Sequence, residues 1–241
     1  MIEVKNLFVT IKAGRKAEPF SVKDVNFSLE QGYFMGLLGK NGSGKTTLLR
    51  MLGGVLEPNG GEVCLRTEEG SLLICSLQDI RYKQEVAYVE AETGVFLYGT
   101  VQEHIKRQSM FFPSFDEKLL HEYLTRLDFS QRDLVSVVEH LSQGAQMKLK
   151  LACAMARNPK LLLLDEPTAN MDPVMRVKLM ELLQEQLTRG TSIIMSSHIV
   201  SDMEDIMDFV GVMEQGEMVW FSDREEYAVS EYGQKGEYLY E

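Results

Sequence analysis

The chain has 241 residues, which is enough for one large domain or two small ones with a core that needs no disulfide or metal. Apolar residues make up 44% and charged residues 25% of it, which excludes disorder of the whole chain. The 25 Lys and Arg against 36 Asp and Glu give a net charge of −11, which argues against non-specific nucleic-acid binding. No window approaches the roughly 20 apolar residues that span a bilayer, and the N-terminus lacks a signal-peptide core.

The three cysteines, Cys64, Cys75 and Cys153, lie far apart in the sequence and form no CxxC pair. We therefore expect no disulfide framework and three buried side chains that act as small hydrophobes. This expectation fits a reducing cytoplasm, because nothing in the sequence indicates export.

The first part of the chain is rich in predicted strands, which we place at residues 2–9, 22–29, 33–38, 63–66, 72–75 and 86–89. The segments 63–66 and 72–75 are expected to pair as a hairpin. Helical spacing of apolar residues predicts a helix over 45–52, directly after a glycine-rich stretch.

From about residue 100 the pattern becomes helical, with helices predicted at 100–109, 115–127 and 143–157. The remaining elements are strands at 160–164 and 192–196, helices at 173–188 and 200–207, and a hairpin of 210–213 with 218–221. Strands that alternate with helices indicate an α/β sheet. We expect one domain over 1–241, with a helical subdomain at about 95–157 and a C-terminal tail at about 222–241, either docked or frayed.

The strongest motif fits G-x-x-x-x-G-K-[ST] and lies between a predicted strand and a predicted helix. It comprises Gly39, Lys40, Asn41, Gly42, Ser43, Gly44, Lys45 and Thr46, and Thr47 follows. Its glycines let backbone N–H groups surround a phosphate chain, and the helix start adds positive dipole character. The Lys45 ammonium can reach the β- and γ-phosphates, and the Thr46 hydroxyl can bind Mg²⁺. A glycine-rich turn without a ligand is the alternative.

A second motif is an apolar strand that ends in two carboxylates, Asp165 and Glu166. Ligands of open α/β sheets bind at the carboxyl ends of strands. We expect Asp165 to hold the Mg²⁺ shell through water and Glu166 to polarise the water that attacks the γ-phosphate. A solvated acidic turn is the alternative, which the phosphate loop upstream disfavours.

A third element begins a predicted helix, where Ser142 is suited to cap the helix. With these three elements in this order, the chain resembles the ATP-binding subunit of ATP-binding-cassette (ABC) transporters, whose signature reads LSGGQ. Ser142 and Gly144 match that signature, whereas Gln143 and Ala145 depart from it. The resemblance implies that Ser142, Gln143 and Gly144 contact the γ-phosphate held by a second ATPase subunit.

The resemblance covers about residues 1–221. It implies a P-loop NTPase core with a mostly parallel sheet, an N-terminal antiparallel β subdomain and an inserted helical subdomain. It also implies that Asp172 is the acidic residue of the family's D-loop. His198 matches the switch histidine, which contacts the γ-phosphate and orients the water.

Two positions depart from the family pattern. Ala91 stands where the family has its Q-loop glutamine, so Glu90 or Glu92 either takes over that contact or is a solvated loop acid. Ile11 stands near the expected place of the aromatic that stacks on adenine. Phe20 is our candidate for that stacking, Phe8 is a second one, and core packing is an equal interpretation of either ring.

The resemblance implies Mg²⁺-dependent ATP hydrolysis by a homodimer or heterodimer that drives separate integral membrane permease subunits from the cytoplasmic face. Residues 112–116 and 168–173 look most like ATPases of bacterial drug and antibiotic-peptide exporters, so export is the expected direction. The partner surface is expected around residues 92–115, where four aromatic side chains form either a pocket or part of the core, namely Phe96, Phe111, Phe112 and Phe115.

Two other classes of function fit the sequence less well. A soluble ABC-type ATPase acting on DNA or ribosomes would carry an inserted coiled coil or a second cassette, and acidic composition disfavours nucleic acid as a partner. A non-catalytic nucleotide-binding regulator would lack the general base or the Mg²⁺ ligands. This chain retains Lys45, Thr46, Asp165, Glu166 and His198.

Overall fold

The computed structural model describes residues 1–12, 19–66, 73–90, 99–169, 171–198 and 200–234. Their strands are β1 (Ile2–Ile11), β2 (Phe20–Leu29), β3 (Phe34–Leu38), β4 (Gly60–Arg66), β5 (Leu73–Ile74), β6 (Val86–Glu90), β7 (Leu161–Asp165), β8 (Ser192–Ser196), β9 (Phe209–Glu214) and β10 (Glu217–Asp223). Their α-helices are α1 (Lys45–Leu52), α2 (Ile80–Glu85), α3 (Val101–Phe111), α4 (Glu117–Arg126), α5 (Gln143–Ala156), α6 (Pro173–Thr188), α7 (Arg224–Val229) and α8 (Glu231–Gln234). No helix within those ranges is long and apolar enough to cross a membrane.

The strands form one mixed sheet in the order β5-β4-β1-β2-β10-β9-β3-β8-β7-β6. The strands β9, β3, β8, β7 and β6 run parallel to one another. Antiparallel pairing joins the strands at the other end of the sheet, β2, β1, β4 and β5. The predicted hairpin of β4 and β5 is confirmed. The predicted α/β fold with a P-loop core, a parallel sheet and an N-terminal antiparallel part is confirmed.

The parallel strands are covered on both faces, which explains their uninterrupted apolar sequences. All five residues of β7 are buried. Leu162 and Leu164 belong to a core cluster that α4, α5 and α6 complete, whereas Leu161 and Leu163 pack in a second cluster with α1. Two buried faces therefore hold β7 rigidly and place Asp165 at its carboxyl end.

Side-chain caps set where the helices of the second half begin. Ser142 accepts a hydrogen bond from the N–H of Ala145, and Asp172 caps α6, whose first residue is Pro173. Capping side chains satisfy N–H groups that have no partner within the helix, and proline suits the first helical position.

The predicted spans 45–52, 173–188 and 192–196 are confirmed to the residue.

The predicted helix at 200–207 is wrong. Only Val200–Asp202 form a short 3₁₀ helix, and turns follow. The apolar spacing of this segment arises because Met203 and Met207 are both buried beneath β3. A side chain on Gly36 would lie 3.1 Å from the sulfur of Met207 and 3.3 Å from that of Met203, so this glycine makes room for both.

Two segments contain helices that the sequence did not indicate. In α2, the buried Tyr82 donates a hydrogen bond to the carbonyl of Leu52 at 2.7 Å and so ties α2 to α1. The tail forms α7 and α8, with Tyr227 buried and the ring of Tyr232 packed 5.7 Å from that of Trp220. The tail is therefore docked as far as residue 234.

The expectation of no disulfide is wrong. Cys64 at β4 and Cys75 just after β5 are bonded to each other, with Cα atoms 4.1 Å apart. Cys75 is exposed, so the expected burial holds for Cys64 and Cys153 only. The pairing of β4 with β5 brings the two cysteines together across the hairpin, and distance along the sequence does not report such proximity.

The disulfide predicts the thiol count of the chain. Protein denatured without reductant should show one titratable thiol, that of Cys153, and three after reduction. A chromogenic thiol assay in guanidinium measures both numbers. Three thiols before reduction would contradict the pairing, and a Cys153→Ser variant, expected to show none before reduction, is the control.

Candidate functional site

Three adjacent parallel strands bring the predicted site residues to one edge of the sheet. β3 ends before the glycine-rich loop, β8 ends at Ser196 and β7 ends at Asp165, and β8 lies between the other two. Parallel strands have their carboxyl ends at the same edge, which is where open α/β sheets bind ligands. Motifs that are more than 100 residues apart in the sequence thus meet here.

The glycine-rich loop after β3 curls around the side chain of its own lysine. The Lys45 ammonium donates to the carbonyl of Gly39 at 2.6 Å and lies 3.4 Å from that of Lys40. Gly39 has φ 150°, and a Cβ there would come within 2.4 Å of the carbonyl oxygen of Met213, so only glycine fits. Burial lowers the pKa of Lys45 and the nearby carboxylates oppose that shift.

A cavity of about 270 Å³ opens above this loop, lined by Phe20, Lys40, Asn41, Gly42, Ser43, Gly44, Lys45, Thr46, Thr47 and Glu166. Two of its buried polar atoms, Oγ of Ser43 and Oε1 of Glu166, have no hydrogen-bond partner among the residues that the structure describes. Unsatisfied buried polar atoms are uncommon in folded proteins and indicate a site for a polar ligand.

Phe20 is the aromatic residue that lies beside this cavity. A Cβ on Gly44 would lie 3.3 Å from its ring, so the ring rests against the phosphate loop. Phe8 instead covers Gly60, where a Cβ would lie 2.4 Å from its ring, and it does not line the cavity. Of the two candidates for stacking, the structure brings only Phe20 to the loop.

The two acids and the histidine meet beside the lysine. Nδ1 of His198 lies 2.8 Å from Oε2 of Glu166, and the Lys45 ammonium lies 3.8 Å from Oε1 of the same carboxylate. Asp165 is buried and accepts a hydrogen bond from the hydroxyl of Ser196 at 2.6 Å. The sequence analysis did not identify Ser196 as a residue of the site, because its contact with Asp165 depends on the pairing of β7 with β8.

The predicted signature segment lies at a different cavity. Ser142, Gly144 and Asp172 line a second cavity of about 270 Å³, together with Lys148 on α5. Gln143 is exposed at the start of the same helix. The two cavities have no lining residue in common. Within this chain, the signature and the D-loop acid therefore do not meet the phosphate loop.

Glu90, one of the two candidates to replace the Q-loop glutamine, is already engaged. Its carboxylate accepts hydrogen bonds from the Arg50 guanidinium at 3.0 and 3.1 Å and from the Tyr88 hydroxyl at 3.0 Å. The Lys150 ammonium lies 3.2 Å from its carbonyl oxygen. This carboxylate therefore fastens the end of β6 to α1. The other candidate, Glu92, and Ala91 lie outside the described residues.

The described aromatic residues of the expected partner surface lie in three different environments. Phe115 packs against the core, and the Arg157 guanidinium lies 3.5 Å above the ring of Phe112. Phe111, at the end of α3, is 68% exposed, and Met110 beside it is also exposed. Phe96 lies outside the described residues. Within the described part of this surface, residues 99–115, the exposed large apolar side chains are Met110 and Phe111 at the end of α3.

Comparison with known proteins identifies the family. Residues 22–169 match the family model described as ABC transporter. The chain is 32% identical over 203 residues to an ABC transporter ATP-binding protein of Nostoc, covering 83% of this chain but 58% of that longer relative. It is 30% identical over 226 residues to the energy-coupling factor transporter ATP-binding protein EcfA2 of Streptococcus sanguinis, covering 90% of this chain and 80% of the relative.

A solved structure described as the ATP-binding subunit of an ABC transporter superposes on this chain with a TM-score of 0.82. It is 26% identical, and 99% of this chain and 98% of that chain are covered. The family match spans more than half of the sequence and contains the phosphate loop, the signature segment and both acids. We conclude that the chain belongs to the ABC transporter family, as an ATP-binding subunit with ATPase activity.

Proposed function

We propose that this chain is the motor subunit of an exporter, a single ATPase domain over 1–241 that works in pairs and drives separate membrane permease subunits. The observation that carries the proposal is the convergence of the phosphate loop, Lys45 and Glu166 on one cavity, with His198 in contact with the Glu166 carboxylate. The helical subdomain, at about 95–157, carries the signature segment and the partner surface.

The phosphate loop binds the triphosphate of ATP. Its backbone N–H groups and the start of α1 face an anion, and Lys45 adds a full positive charge. The ammonium now bonds to loop carbonyls, which are neutral acceptors. Bonds to a charged acceptor are stronger, so the β- and γ-phosphates displace those contacts. The buried hydroxyl of Ser43, which has no hydrogen-bond partner among the residues that the structure describes, supplies a further donor.

The residues at this site fit Mg²⁺. Thr46 and Asp165 offer a hydroxyl and a carboxylate, and hard cations prefer oxygen ligands. The described ranges contain no group of three or more His, Cys, Asp or Glu that could hold a metal ion; Thr46 and Asp165 are the residues that would hold Mg²⁺ here. When bound, the ion neutralises charge that develops on the phosphates.

Glu166 and His198 act on the attacking water. The carboxylate of Glu166 polarises the water, and the imidazole of His198 contacts the γ-phosphate and holds the carboxylate by its bond to Oε2. Lys45 stabilises the charge of the transferred group. Phosphoryl transfer needs little covalent help, so placement and charge supply most of the catalysis.

Two ATPase subunits complete each other's sites. Ser142, Gly144 and Asp172 line a cavity apart from the phosphate loop of the same chain, and Gln143 is exposed at the start of the same helix. This separation supports contact of the four residues with ATP on a partner chain. ATP then favours the closed pair because its γ-phosphate touches both subunits, and hydrolysis removes that contact. The pair consists of two copies or of this chain with a second ATPase.

The pair acts on the inner face of the cell membrane, to which permease subunits hold it. The exposed end of α3, with Met110 and Phe111, is the docking surface. Export is the proposed direction, on the strength of the resemblance of residues 112–116 and 168–173 to exporter ATPases. The similarity to the ATPase of an energy-coupling factor transporter makes that class of transporter the competing proposal. Identification of the membrane subunits that purify with the chain distinguishes an exporter from an energy-coupling factor transporter.

The first test of the proposal is Glu166→Gln. The amide cannot act as a base, so ATP hydrolysis should fall by about 10²–10⁴-fold while ATP still binds. The variant should form a stable dimer with ATP, seen by size-exclusion chromatography with light scattering. Glu217→Gln, at an exposed pair with Lys23, should hydrolyse ATP like the wild type. Unchanged turnover in Glu166→Gln would remove Glu166 from its role.

The second test concerns stacking on the base. Phe20→Ala should weaken the binding of a fluorescent ATP analogue by about 5- to 150-fold, because stacking on an aromatic ring contributes about 1–3 kcal/mol. Phe8→Ala, a matched loss of an aromatic ring away from the cavity, should bind normally. The opposite ranking of the two variants would assign the stacking to Phe8.

The third test concerns the docking surface. Phe111→Asp places a charge in an apolar contact and should weaken association with the membrane subunits by about tenfold or more. Membrane fractionation of tagged chain in its own host measures this, with ATP affinity as the check on folding. Val229→Asp, at an apolar side chain that is 74% exposed on α7, is the control. Equal membrane retention of both variants would contradict the assignment of the docking surface to the end of α3.

A further inference from the structure

Ser196 is the last residue of β8 and is fully buried. In the parallel register of β7 and β8 it stands directly opposite Asp165. Its hydroxyl donates to Oδ1 of Asp165 at 2.6 Å and accepts from the backbone N–H of Glu166 at 3.0 Å. A hydroxyl has one hydrogen and two lone pairs, so both bonds form at the same time. One side chain therefore contacts both acids of the site.

The backbone at Glu166 needs support, because its φ is 47°. A residue with a side chain rarely adopts this left-handed conformation, and such strain persists only where the surroundings hold it. The Glu166 N–H is held by Ser196 twice, by the hydroxyl at 3.0 Å and by the carbonyl oxygen at 3.2 Å. This turn aims the Glu166 carboxylate at His198 and Lys45.

We propose that Ser196 is a positioning residue that fixes both acids at once, Asp165 through its carboxylate and Glu166 through its backbone. The inference rests on the proposed function, in which these acids serve Mg²⁺ and the attacking water. Ser196 does not line the nucleotide cavity, so it acts through the acids and not on the nucleotide. Loss of its hydroxyl leaves a buried carboxylate oxygen without that donor.

The same strand provides a matched control. Ser192, at the other end of β8, is also buried and also makes two hydrogen bonds through its hydroxyl. It donates to the carbonyl of Glu30 at 2.9 Å and accepts from the N–H of Gly32 at 3.1 Å. Both of its partners are backbone groups at the far edge of the sheet. Ser192→Ala thus reproduces the structural cost of losing a buried serine hydroxyl without touching the acids.

The experiment compares Ser196→Ala, Ser196→Cys and Ser192→Ala in the full chain. Both substitutions at Ser196 should lower kcat by about 10- to 100-fold, the usual effect of losing a residue that orients a metal-site carboxylate. The kcat of Ser192→Ala should stay within about twofold of the wild-type value, because this residue is far from the acids. In EDTA, all three variants should bind a fluorescent ATP analogue with the affinity of the wild type. Addition of Mg²⁺ should increase that affinity less in the two Ser196 variants than in the wild type or in Ser192→Ala.

Wild-type kcat and an unchanged Mg²⁺ effect in Ser196→Ala would overturn the inference, as would equal losses in Ser196→Ala and Ser192→Ala. If the alanine variant does not fold, Ser196→Cys decides, because the thiol fills the site with a much weaker donor. The effect of Mg²⁺ on affinity is measured without ATP hydrolysis. It therefore tests the role of Ser196 even if the chain hydrolyses ATP only together with its partner. A wild type that binds no ATP overturns the proposed function itself, which separates the two failures.

Discussion

The parallel pairing of β3, β8 and β7 is the constraint on which the site depends. It places the phosphate loop, Ser196 and Asp165 at one edge of the sheet. Helices cover both faces of these strands, so the strand ends cannot shift independently of the core. The side chains of the site therefore stand on a rigid base.

Charge balance explains how this edge tolerates buried ionic groups. Lys45, Asp165 and Glu166 would each be costly to bury alone. The lysine lies 3.8 Å from Glu166, the loop carbonyls accept its hydrogen bonds, and Ser196 satisfies Asp165. Burial lowers the pKa of Lys45 while the two carboxylates act in the opposite direction. Contacts within the chain thus hold the cation and the two acids of the site in place.

Separation of the two cavities within the chain is the reason why the proposed function pairs it with a second ATPase subunit. Caps place Ser142 and Asp172 at the starts of α5 and α6, beside a cavity that has no residue in common with the phosphate loop. Meanwhile Glu90 links the end of β6 to Arg50 on α1 and to Lys150 on α5, the helix that the signature begins. The phosphate-loop helix and the signature helix are therefore joined through one strand end.

Motif spacing and the family resemblance predicted Lys45, Asp165, Glu166 and His198, which the structure brings to one edge of the sheet. Local patterns in the sequence were sufficient for the spans 45–52, 173–188 and 192–196, because periodicity and caps act over a few residues. These patterns predicted a helix at 200–207 that does not exist, because the apolar side chains of Met203 and Met207 are buried by turns and not by a helix. Tertiary structure alone decided the Cys64–Cys75 bond, the engagement of Glu90 by Arg50 and the hydroxyl of Ser196 between two acids. Each of these contacts depends on the register or packing of elements distant in the chain, and no local pattern encodes it.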